Sequence, residues 1–108
     1  MNLIELIPFL KTRANAEKFI SEVLPDVEFD QVEIYLREKL DINSEIKFVD
    51  AEAMDGRIEQ EIGGVMYTNL FPLWMLQEMV EDYPNAKGNR LSDIEIATRM
   101  INYGINDA

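Results

Sequence analysis

Cysteine and histidine are both absent from this sequence of 108 residues. Without cysteine there is no disulfide framework, no thiolate nucleophile and no zinc–thiolate site. Without histidine the usual general base at neutral pH and the commonest transition-metal ligand are missing as well. Serine is scarce: Ser21, Ser44 and Ser92 are the whole complement. No G-x-S-x-G, Walker A or G-x-G-x-x-G pattern occurs. Any catalysis would rest on carboxylates, lysine, tyrosine or a hydroxyl, so a non-catalytic protein is expected and no cofactor is implied.

Positive charge is also in short supply. Ten Lys and Arg stand against 21 Asp and Glu, a net charge of −11. A protein that grips a phosphate backbone needs clustered cations to release counterions, so direct nucleic-acid binding is not expected. Nor does any apolar run reach the ~20 residues of a membrane span. The opening stretch Met1–Leu10 is greasy, but it has no basic side chain ahead of the apolar part and Glu5 interrupts it. It does not read as a signal peptide, and a cytoplasmic location is the expectation.

What is present is ordinary globular composition, 47% hydrophobic and 29% charged. No repeat, low-complexity tract or Gly/Ser linker divides the chain, so residues 1–108 read as one acidic domain. Residues 2–10, apolar nearly all round and carrying Pro8, fit either a short buried helix with a break or an extended arm. Between 14 and 24, Ala16, Phe19, Ile20, Val23 and Leu24 share one helical face, and Pro25 stops the run. A further helix is predicted over 31–40, with Asp30 as N-cap, Glu33 at N3, and Val32, Leu36 and Leu40 as its inner row. In that helix Ile34 falls on the outer side, between Arg37 and Glu38.

Then the period changes. Ile46 and Phe48 alternate with Glu45 and Lys47, which predicts a strand at about 45–49. Residues 57–62 and 65–70 flank Gly63-Gly64, a two-residue hairpin signal, and Asp55-Gly56 marks an earlier turn. The expected sheet is therefore a three-stranded antiparallel meander. Pro72 opens a helix over 72–83 built on Leu73, Met75, Leu76, Met79, Val80 and Tyr83, and Pro84 ends it. Ser92 and Glu95 form an S-x-x-E capping box, with Leu91 and Ile96 as hydrophobic staple, for a last helix over 92–103 closed by Gly104. The fold class is α+β: N-terminal helices, a small sheet and two C-terminal helices.

The acidic stretch from Asp41 to Glu61 concentrates Asp41, Glu45, Asp50, Glu52, Asp55, Glu59 and Glu61 against Lys47 and Arg57. An EF-hand fails there: Asp50, Glu52 and Glu61 hold offsets one, three and twelve, but Asp55 stands where glycine is required. Charge of this kind either keeps a sheet edge soluble or meets a basic surface. On the next helix Trp74 projects between Glu78 and Glu81, either folding back over Leu70 and Phe71 or serving as an exposed anchor. The candidate partner-binding residues are accordingly Asp50, Glu52, Asp55, Glu59, Glu61, Trp74 and Glu78. The leading expectation is an acidic protein-binding module, of the inhibitor or immunity type, that covers the basic site of a cationic partner such as a toxin nuclease. A small homodimeric structural or adaptor protein is the first alternative and a carboxylate-dependent enzyme the second.

Overall fold

The computed structural model describes residues 1–53, 59–87 and 91–107; the side chains of 83–87 and of residue 107 are outside that description. The N-terminal stretch is helical rather than an extended arm. Helix α1 (Leu3–Leu6) begins at a capping box in which Asn2 Oδ1 accepts from the Glu5 N–H at 3.0 Å and Glu5 Oε1 accepts from the Asn2 N–H at 3.0 Å. Pro8 sits in the following 3-10 turn (Ile7–Leu10), where the proline N–H is not needed. Helix α2 (Arg13–Val23) is capped by Thr12 Oγ1, which accepts from the Asn15 N–H. It ends one residue before Leu24 and Pro25, as the proline requires.

The largest correction follows. Residues 31–40 are not a helix. Asp30 lies in a 3-10 turn (Phe29–Gln31), and the chain continues as strand β1 (Val32–Arg37). Val32 and Leu36 are four apart and satisfy both periods, but Ile34 lies on their face only at period two. Val32, Ile34 and Leu36 are all fully buried, so the strand period prevails. Glu33, read as the N3 residue of a capping box, instead accepts a bond from Asn69 Nδ2 at 3.2 Å.

Among the described residues the sheet consequently has four strands, not three. Strands β2 (Ile46–Asp50), β3 (Glu59–Ile62) and β4 (Val65–Pro72) join β1 in the antiparallel order β2-β1-β4-β3. β2 and β3 are not neighbours, as a meander requires, but the two edges, because β1 and β4 fill the centre. Arg57 and the Asp55-Gly56 turn lie outside the described residues. The Gly63-Gly64 hairpin is present: Ile62 pairs with Val65, and φ is +60° and +84° at the two glycines, as a type I′ turn demands.

β4 runs through Pro72, so helix α3 (Leu73–Lys87) starts one residue later than expected. It then continues past Pro84. A proline withholds one N–H from the helical ladder at a cost of about 3 kcal/mol, and the last turn forms all the same. Helix α4 (Asp93–Asp107) begins at the expected box: Ser92 Oγ accepts from the Glu95 N–H at 3.2 Å, and Glu95 Oε1 accepts from the Ser92 N–H at 3.1 Å. It does not stop at Gly104. That glycine is buried inside the helix, where a Cβ would stand 2.8 Å from Leu70 Cδ1 and 3.6 Å from both Leu40 Cδ1 and Phe71 Cζ. Its role is close approach of helix to sheet.

Among the described residues the four helices pack on the face of the sheet that carries Ile34 and Leu36. Leu3, Leu6, Ile7 and Leu10 from the N-terminal turns, Ile20 from α2, Leu73 and Leu76 from α3, and Ile96 and Met100 from α4 bury against Val32, Ile34, Leu36, Ile46 and Leu70. Each such side chain contributes about 1.5–3 kcal/mol when withdrawn from water. An extra residue in β4, between the Tyr35–Asn69 and Glu33–Pro72 pairs, forms a bulge. It lets Leu70 and the adjacent Phe71 both reach α4.

Candidate functional acidic site

A 3-10 turn (Ala51–Ala53) follows β2, and Asp50 ties its start by accepting from the Glu52 N–H at 3.0 Å. Facing it is the loop after α2, where Pro25 ends the helix. Successive turns hold that loop: the Val27 N–H donates to Leu24 O at 3.1 Å and the Gln31 N–H to Glu28 O at 2.9 Å. The two segments enclose a hollow of about 250 Å³ lined by Asp26, Val27, Glu28, Gln31, Asp50 and Glu52. Four carboxylates thus share one concavity. Among the described residues, neither Lys nor Arg is within ion-pair distance of any of them. Arg13, on α2, is spent on Asp30 (3.1 Å), Glu17 (3.3 Å) and the Phe29 ring, 4.4 Å from its guanidinium.

Such a site attracts cations in general, and its concavity concentrates the field. Among the described residues no group of three or more Asp or Glu is arranged to hold a metal ion.

The residues nominated from sequence do not form one surface. Asp50 and Glu52 line the hollow; Asp55 lies outside the described residues. Glu59 and Glu61 are exposed on β3, at the opposite edge of the sheet, three strand spacings or about 14 Å away laterally. Trp74 and Glu78 belong to α3 and do not line the hollow. Trp74 is half-buried against the core, and Glu78 is exposed. Asp26 and Glu28 were missed by counting charge along the chain, because they precede the Asp41–Glu61 stretch. The signal was the alternation Pro25-Asp26-Val27-Glu28, a loop with both acids on one side.

A second concavity, about 310 Å³, lies beside α2 and is lined by Pro8, Phe9, Asn15, Lys18, Phe19 and Glu22. Phe9 and Phe19 stack with centroids 4.5 Å apart, and Phe19 meets Phe48 edge-on at 5.8 Å. It is aromatic-walled with one charge of each sign, a chemistry distinct from the acidic hollow.

On the face of the sheet opposite Ile34 and Leu36, Tyr35 is nearly inaccessible, and burial, with the Glu33 charge adding to it, raises its hydroxyl pKa above the ordinary 10.0. Among the described residues no helix is long and apolar enough to cross a membrane. No family model, curated protein or solved structure matches the chain.

Proposed function

We propose that this is a non-catalytic acidic module that docks a basic protein partner, in the manner of an inhibitor or immunity protein covering a cationic active site such as that of a toxin nuclease. The observation that carries the reading is the hollow of Asp26, Glu28, Asp50 and Glu52, four carboxylates without a cation among the described residues. The net charge of −11 supports it, since long-range attraction steers a cationic partner to such a surface. A lysine or arginine entering the hollow would pair with several carboxylates at once.

The test is a hydrogen-exchange footprint on the partner complex, after affinity capture and identification of the partner. Protection is expected over residues 26–31 and 50–52. The variant Asp26→Asn/Glu28→Gln/Asp50→Asn/Glu52→Gln is expected to lose binding while unfolding at the same or higher denaturant, because it removes like-charge repulsion. Protection confined to other surfaces, with full binding by the variant, would refute the reading.

The homodimer is the second reading, favoured by Ile94 and Ile105 on α4, 56% and 55% exposed. They are separated by only about 20° around the helix and could pack on a second copy. A sedimentation coefficient that stays at the monomer value as protein concentration rises would exclude it.

A further inference from the structure

Strand β3 offers a second kind of docking site, and its geometry follows from the hairpin. A two-residue type I′ turn makes Ile62 and Val65 a hydrogen-bonded pair, so two residues back Gln60 and Tyr67 form the next one. Glu59 and Glu61 are then the residues whose backbone N–H and C=O groups point away from β4. Among the described residues no strand pairs with that side of β3. The other edge is treated differently. On β2, Ile46 also points outward, and its N–H is taken up by Met1 O at 2.9 Å.

The side chains name the occupant. Glu59 and Glu61 are two apart, so both carboxylates leave the same face of the strand, and both are exposed. Gln60, between them, faces the other way, with its Oε1 buried and unpartnered among the described residues. A second copy is a poor occupant: antiparallel pairing about Gln60 would bring Glu59 and Glu61 opposite their counterparts, and like charges directly opposed across a sheet destabilise it. A cationic strand has the reverse sign at the same positions. We propose that the β3 edge takes up an extended basic segment by strand addition, its backbone bonding Glu59 and Glu61 and its Lys or Arg at alternate positions pairing with the two carboxylates.

This rests on the reading that the partner is basic, but it concerns a different surface from the acidic hollow, so the two can fail separately. The probe is a synthetic peptide of alternating Lys and Val, compared with a peptide of the same composition in which the lysines are contiguous. Titration at low salt is read by amide hydrogen exchange. The alternating peptide is expected to slow exchange at the Glu59 and Glu61 amides, which point away from β4, and to leave those of Gln60 and Ile62 little changed. Glu59→Gln/Glu61→Gln should weaken it roughly tenfold, two opposed-charge cross-strand pairs being lost. Glu59→Lys/Glu61→Lys should instead select an alternating Glu and Val peptide. Binding of both lysine peptides alike without protection of Glu59 and Glu61, or binding abolished by the four-carboxylate variant of the hollow, would overturn strand addition and leave the basic-partner reading standing. Natural-partner binding untouched by the variant of the hollow but weakened by Glu59→Gln/Glu61→Gln, with the alternating peptide still protecting β3, would sink the hollow and leave the edge.

Discussion

Ser92 and Gly104 show how much a single residue decides in α4. Ser92 closes a reciprocal pair of bonds with Glu95. The Ser92 backbone N–H donated to the Glu95 carboxylate, with the Ser92 hydroxyl adding to it, holds that carboxyl below its ordinary 4.5. Ser92→Ala should lower stability by about 0.5–2 kcal/mol, read as a reduced urea midpoint. The sign of the pH effect follows. A carboxylate with a depressed folded pKa adds stability above its unfolded value and loses it as pH falls through the folded one. The stability gap between the native protein and Glu95→Gln should therefore close in acid, and a gap constant from pH 7 downward would refute the box. Gly104→Val places side-chain atoms where Leu70, Leu40 and Phe71 already sit, and should cost about 1–3 kcal/mol by overpacking. A glycine that merely capped the helix in solvent would not incur that overpacking cost, so an unchanged thermal midpoint would restore the role first expected for it.

At the scale of elements, the hairpin isolates backbone from packing. Among the described residues nothing lies within 4 Å of a Cβ built at Gly63 or Gly64, so the penalty expected there is that of positive φ. Gly63→Asn should be nearly neutral, while Gly63→Val/Gly64→Val should cost roughly 1–2 kcal/mol per residue. Equal stability of the two variants would remove the type I′ turn. This hairpin was legible in sequence because glycine pairs report a local conformation. The Ser92–Glu95 box was legible for the same reason: its partners are three residues apart. Strand β1 was not, since Val32 and Leu36 fit both periods and the resolving residue, Ile34, had to be weighed against a capping box at Asp30 and Glu33 that does not form. Nor does the sequence pattern mark the buried Gln77: its amide donates to Leu10 O at 3.3 Å and to Glu81, contacts that depend on how the N-terminal turn packs on α3.

For the whole molecule, charge along the chain and charge in space turn out to be different quantities. Asp41–Glu61 looked like one acidic surface, yet the strand order sends Asp50 and Glu52 to one edge and Glu59 and Glu61 to the other. Insertion of β1 and β4 between the edges is what separates them, and that insertion was the part of the topology the sequence pattern did not disclose. The same folding gathers Asp26 and Glu28, remote in sequence, beside Asp50 and Glu52. The central claim is that this gathered charge engages a basic partner, and association kinetics with the isolated partner at low and high salt test it most directly. Exposed charges are screened beyond about 8 Å at physiological ionic strength, so the on-rate should fall steeply with salt for the native protein. It should fall far less for Asp26→Asn/Glu28→Gln/Asp50→Asn/Glu52→Gln, whose low-salt on-rate should already be reduced. On-rates that are identical for the two proteins and indifferent to salt would contradict the account.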